Sequence, residues 1–270
     1  MRFLTHCCMT ALGLLAVVPT ASALENKDAW RFDATLYLWA PSIGGRTQFP
    51  TGAAGPTIDI SARDVVRKLD MAFMGSVEAH RGPWGGLVDW VYSDLSGGRS
   101  GTRDLTIGGL PPTAGVSADL GLRVKTNLLT LAAMYSEYRT PTTTAALVVG
   151  VRMLNTAETV NWSFSGSGLA SGLTRTGVSE ASATNWDAII GLRGRLRPDA
   201  ESRWFAPYHF DIGTGDSRRT WQAMLGVGYA FDFGDVSLGW RYVDYKFKSS
   251  QALQTLTFNG VMLGATFRFQ

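Results

Sequence analysis

The sequence predicts an all-β chain, an antiparallel up-and-down transmembrane β-barrel of about ten strands, on three observations. The first is strict alternation over Thr220–Phe233, where Trp221, Ala223, Leu225, Val227, Tyr229, Phe231 and Phe233 share one face; period two defines a strand. The second is that the pattern is inverted relative to a soluble barrel. Large aromatics sit at the ends of the apolar face, while glycines and a lone arginine occupy the other, so the apolar side meets lipid and the polar side lines a lumen. The third is an asymmetry of connections. Short turns at Arg81-Gly82-Pro83, Thr140-Pro141, Pro198-Asp199 and Gly234-Asp235 alternate with long Gly/Ser/Thr-rich stretches at 41–69, 97–117, 156–184, 214–219 and 248–253. Four short turns with both termini on their side give ten strands; eight or twelve remain open.

Each strand follows the same rule. Trp30–Ala40 sends Trp30, Phe32, Ala34, Leu36 and Leu38 outward and Arg31, Asp33, Thr35, Tyr37 and Trp39 inward. Met71–Arg81 faces Phe73, Gly75, Val77 and Ala79 to lipid and turns Ser76, Glu78 and His80 inside; Trp84–Leu95 places Val88, Trp90 and Tyr92 outward and Asp89, Val91 and Ser93 inward. The next strand is less regular. Leu129, Leu131, Ala133 and Tyr135 share a face, but Leu120, Leu122 and Val124 have the opposite parity, which implies either a bulge near Thr126–Leu128 or a strand projecting beyond the membrane. Ala145–Leu154 keeps Gly150 and Arg152 inside, Trp186–Arg197 keeps Asp187, Gly191, Arg193 and Arg195 inside, and Trp204–Ile212 turns His209 and Asp211 inside. Asp235–Phe247 pairs with the opening stretch as a hairpin, with Val236, Leu238, Trp240 and Tyr242 on one face and Ser237, Gly239, Arg241, Val243 and Tyr245 on the other. In the first long connection, Ser61-Ala62-Arg63-Asp64 has the form of a capping box and announces a short helix, either over the mouth or on the surface.

The N-terminus reads as an export signal. Arg2 supplies the positive charge, Met9–Val18 is mostly apolar and Ala21-Ser22-Ala23 fits small-residue cleavage, which leaves a single barrel domain over 24–270. Cys7 and Cys8 are lost with it, so the mature chain has no thiol for disulfides, nucleophilic catalysis or metal ligation. Removal of the signal takes away Arg2 alone and leaves 24 basic and 22 acidic residues. No basic block accompanies that small surplus, which argues against a nucleic-acid partner. The mean hydropathy of +0.02 averages lumen and lipid positions and conceals a membrane protein.

The last strand ends Val261, Leu263, Ala265, Phe267, Phe269 on the apolar face. This resembles the C-terminal signal of bacterial outer-membrane proteins, except that the aromatic is penultimate to Gln270, and it implies the barrel assembly machinery as a partner. Leu36-Tyr37-Leu38-Trp39-Ala40-Pro41, Gly85–Asp89, Gly150-Val151-Arg152, Trp221–Tyr229 and Gly239-Trp240-Arg241-Tyr242 together resemble a set of proteobacterial outer-membrane barrels grouped loosely with the OmpA/OmpW-like folds. The resemblance covers most of the mature chain and implies an integral outer-membrane location, with outer-membrane lipid and lipopolysaccharide as neighbours. It carries over no catalytic residues.

Candidate chemistry lies in the lumen. Gly-x-Arg recurs as Gly150/Arg152, Gly191/Arg193 and Gly239/Arg241, and Arg31, Arg195 and Arg268 also point inward. Set against Asp33, Glu78, Asp89, Asp187 and Asp211, they form either a self-compensated charge network or an anion-attracting channel; pairing is the reading that a narrow lumen favours. Ser76, Glu78, His80 and Asp89 contain the parts of a nucleophilic triad. His209-x-Asp211 resembles the His/Asp part of an outer-membrane protease site but lacks a partner acidic pair. With His80 and His209 as the only mature histidines, no metal site or cofactor is expected. Gly226-Val227-Gly228 falls mid-strand and reads as space for lumen side chains such as Arg241 rather than a nucleotide fingerprint. Loop 167–184 is a candidate exposed interaction surface. The sequence therefore predicts a small barrel with a charge-filled, largely closed lumen, surface-exposed loops and a structural or interaction role, with a narrow porin-like channel and an outer-membrane lipid or peptide hydrolase as alternatives.

Overall fold

The computed structural model describes residues 29–47, 57–105, 114–168, 174–248 and 253–269. The expected signal, Met1–Ala23, lies outside them. The elements are β1 (Arg31–Thr47), β2 (Thr57–Ile60), α1 (Ala62–Arg67), β3 (Leu69–Arg81), β4 (Trp84–Leu105), β5 (Ala114–Arg139), β6 (Thr143–Gly168), β7 (Thr174–Leu196), β8 (Trp204–Gly215), β9 (Arg219–Ala230), β10 (Gly234–Lys246) and β11 (Leu253–Phe269). All pairings are antiparallel between sequence neighbours, β1 bonds β3 past the short β2, and β11 returns to β1, so ten strands close a barrel with β2 as an annex. Closure satisfies every wall strand's backbone within the sheet, which a hydrocarbon environment requires.

The outer face carries the predicted apolar set. Leu38, Leu225, Val227, Leu238 and Leu263 are exposed there. Two rings of aromatics bound this band: Trp84 against Tyr135, Trp204 against Tyr229, and Phe233 against Phe267 at the short-turn end; Trp90 against Phe73 and Trp221 against Tyr242 at the other. Amphipathic rings at two levels mark the membrane interfaces. Gly82, at φ 58°, makes the β3–β4 turn in a conformation that a side chain disfavours.

Two expectations are corrected. No bulge interrupts β5 near Thr126–Leu128: its register with β4 and β6 runs unbroken from Ala114 to Tyr135. The projecting-strand alternative is what forms, with Arg123 and Lys125 continuing the outward parity of Leu129 and Leu131 above the band. Likewise 97–105, 114–117, 156–168 and 174–184 are strand rather than loop; the remainder of those expected loops lies outside the described residues. β5 and β6 have 26 residues each, whereas about 9–11 cross a membrane. The surplus carries β4–β7 well beyond the hydrocarbon as a continuous sheet.

Candidate functional site: the lumen

The inward residues of β10, read from the short-turn end, are Asp235, Ser237, Gly239, Arg241, Val243 and Tyr245. Those of β1 run Arg31, Asp33, Thr35, Tyr37, Trp39, Pro41 and Ile43. Each strand changes from polar to largely apolar at mid-height. The lumen accordingly has an ionic half and an apolar half.

In the ionic half, Arg241 of β10 reaches across four strand positions of the wall to Asp89 of β4 at 2.6 Å, and donates to the Tyr37 hydroxyl at 2.8 Å and to Gln222 Oε1 at 2.9 Å. Tyr37 donates in turn to Asp89 at 2.5 Å. The guanidinium also lies 5.0 Å from the ring centre of Trp39, which roofs it. A second chain begins with His80 Nε2, 3.2 Å from Glu78. Glu78 takes a hydrogen bond from Arg193, whose Nη1 lies 3.2 Å from His209 Nδ1. An arginine only donates, so Nδ1 accepts and the His209 proton sits on Nε2, which faces Asp211 Oδ2 at 2.9 Å. Asp211 closes the chain by accepting from Arg152 at 2.6 Å, and Arg152 donates to Thr130 at 3.3 Å. Arg152 and Asp211 are wholly buried. Within the chain two arginines balance two carboxylates, Arg193 with Glu78 and Arg152 with Asp211, as a low-dielectric interior demands.

The third group closes the short-turn end. Asp235 accepts from Arg195 at 2.7 Å and from Arg268, while Arg195 stacks on Phe205 with its guanidinium carbon 4.0 Å from the ring centre. Asp33 sits in register between Arg268 and Glu78, and Arg31 opposite His80. Asp187 departs from the expected arginine pairing. Although in register with Arg152, it accepts the Ser217 amide at 2.9 Å. Gly228 makes room for a lumen side chain, Phe205 rather than Arg241: a side chain there would strike the Phe205 ring, on which Arg195 stacks.

The apolar half is packed by Trp39, Val91, Leu128, Leu154, Phe258 and Met262, with Val243, Tyr245 and Phe247 behind them. α1 covers this half: its Val65 is buried in the same cluster, and Ser61 caps it by accepting the Asp64 amide at 3.2 Å and donating to the Asp64 carboxylate at 2.8 Å. A cavity of about 40 Å³ beneath α1 is lined by Trp39, Val65, Met74, Leu128 and Phe258. A smaller apolar cluster of Leu87, Met134, Ala146 and Val148 fills the β4–β6 side of the lower half. The lumen is thus charge-filled in one half and packed by apolar side chains in the other.

The candidate catalytic groupings do not assemble. Ser76 faces Asp89 in register, but His80 lies four residues along the strand, about 13 Å away at some 3.3 Å per residue, with its Nε2 directed to Glu78. His209 and Asp211 are buried within the chain of contacts that runs from His80 to Arg152. Residues absent from the expected network are Asp235, Tyr37, Gln222 and Thr130. Asp235 looks like a turn residue from the sequence, and the other three carry no charge to draw attention to them.

No protein-family model matches the chain, and no curated protein matches it by sequence. Among solved structures, the outer membrane protease OmpT from Escherichia coli is similar over 92% of this chain and 99% of that one, at 12% identity and a TM-score of 0.44. Ail, the attachment invasion locus protein of Yersinia pestis, is similar over 90% and 99%, at 10% identity and a TM-score of 0.32. The toluene transporter TodX of P. putida is similar over 89% and 90%, at 9% identity and a TM-score of 0.26. The fold is that of an outer-membrane β-barrel. Likenesses this distant transfer no activity, and the closed wall, apolar band and twin aromatic rings carry the assignment.

Proposed function

We propose that the protein is a closed outer-membrane barrel with a structural or interaction role, anchored by its apolar band and presenting the β4–β7 projection to the exterior. The observation that carries this reading is the double obstruction of the lumen. Ion pairs cross it from β10 to β4 and from β7 to β3, and above them the apolar cluster under α1 leaves room for little more than a water molecule. A ten-stranded barrel is only slightly wider than one filled by its own side chains, so cross-lumen pairs of this kind close it. The projecting sheet supports the interaction role, since it extends well past the span that a membrane needs.

In this reading the chain is exported by its N-terminal signal and inserted by the barrel assembly machinery, which engages β11. The exposed Phe267 and Phe269 next to the β1 seam fit that step.

Proteoliposome swelling with small sugars and amino acids tests the closed lumen. Swelling no faster than protein-free vesicles is expected; rapid, size-limited swelling would promote the narrow channel instead. Orientation is tested separately by single cysteines in a Cys7/Cys8-free background. An impermeant maleimide is expected to label Ser182→Cys on intact cells and to leave Asp199→Cys unlabelled.

A further inference from the structure

Directly above the upper aromatic ring, two cations face one another on the lipid side of the wall. Lys246 of β10 and Arg219 of β9 are paired in register, both exposed and both on the parity of the lipid-facing residues below them. Like charges directly opposite on neighbouring strands repel. The nearest carboxylate does not resolve this: Asp244 lies 3.8 Å from Arg219 and is already accepting a hydrogen bond from Thr257 at 3.0 Å. Elsewhere on the same face the arrangement is different, since Arg123 donates to both oxygens of Asp94 at 2.8 and 2.6 Å. The Arg219–Lys246 pair is therefore basic, exposed and incompletely compensated.

Its height defines what reaches it. One step below, Trp221 is in register with Asp244, and its ring lies 4.7 Å from that of Tyr242. Trp and Tyr side chains concentrate at headgroup level, so an anion bound by Arg219 and Lys246 belongs to a lipid headgroup. We propose that Arg219 and Lys246 form a docking site for a phosphate group of the phosphorylated glycolipid, lipopolysaccharide, in the outer leaflet. Guanidinium and ammonium groups together suit a phosphate monoester, which offers several charged oxygens. The acyl chains beneath lie along the apolar band at Leu225 and Leu238.

This rests on the orientation proposed above, which the cysteine labelling decides independently of any lipid. The test of the site itself is native mass spectrometry of the intact protein released from micelles, titrated with bisphosphorylated lipid A, its dephosphorylated form, phosphatidylglycerol and inorganic phosphate. Wild type is expected to retain lipid A in preference to the other three. The Arg219→Ser/Lys246→Ser variant should bind it about thirtyfold more weakly, since each interfacial basic residue strengthens attachment to an anionic surface about fivefold. Arg203→Ser, at an exposed ion pair with Asp232 next to the opposite ring, should bind as wild type does. Asp244→Asn removes the competing carboxylate and should tighten binding, which keeps the test decisive should the double variant fold poorly. Equal retention of the dephosphorylated lipid or of phosphatidylglycerol, displacement by millimolar inorganic phosphate, or unchanged binding by both variants would overturn the site.

Discussion

The two halves of the lumen are filled by different physics. Below Trp39, the filling depends on a few directional contacts, and charges meet partners across the barrel, as Arg241 does in Asp89 and Arg193 in Glu78. Above it, the filling depends on the shape of many apolar side chains. The ionic half should therefore fail abruptly when one member is removed, because the partner is left charged and buried, while the apolar half should weaken in proportion to the volume lost.

The largest expected effect is on the ionic side. Arg241→Ala leaves Asp89 uncompensated and should cost about 3–5 kcal/mol in urea unfolding from micelles. Replacing both partners, as Arg241→Met with Asp89→Leu, should recover most of that loss. A double variant as unstable as the single one would show that the barrel depends on the charges themselves and not on their compensation.

A charge placed on the outer wall comes next. Leu225→Arg faces mid-membrane lipid and should cost about 2–4 kcal/mol, whereas Met224→Arg, one residue away, points into the lumen beside Arg241. Equal costs would contradict the assigned parity, unless crowding and repulsion by Arg241 account for the second; Met224→Gln, uncharged and of similar length, separates the two. In the apolar half, Leu128→Ala should cost about 2–3 kcal/mol, toward the lower end for a buried leucine because α1 and the side chains around a small void can settle. A cost matching that of Arg241→Ala would erase the distinction between the halves. The smallest effect is expected at the cover. Ser61→Ala removes the α1 cap and should cost at most about 1 kcal/mol, read as faster amide exchange in α1 with little change in global unfolding.

Strand parity was legible throughout because each wall strand has one face in lipid, and a one-residue error would have exchanged every side chain between environments. Arg152, Arg193 and Arg241 stood out as lumen residues for the same reason. Their partners were less accessible. Chords from β10 to β4 or from β7 to β3 join residues far apart in the chain, and alternation fixes the face but not the azimuth. The apolar upper half was visible in Val243 and Tyr245, which share the inward parity of Arg241. An expectation that an inward face is polar hid the change at mid-height. The irregular parity of Leu120, Leu122 and Val124 was itself a signal: once a strand leaves the membrane its outward side meets water, and Arg123 and Lys125 take the places that leucines hold below.

Single-channel recording across a planar bilayer, run beside thermal unfolding of the same preparations, tests the closed lumen most directly. On the proposed reading, wild type and Arg241→Ala should both pass no steady current, because the apolar half would block the lumen even where the ionic half is broken, and the variant should melt well below wild type. An open, anion-selective wild-type current, together with unchanged melting of Arg241→Ala, would contradict the account and establish a pore lined by unpaired arginines.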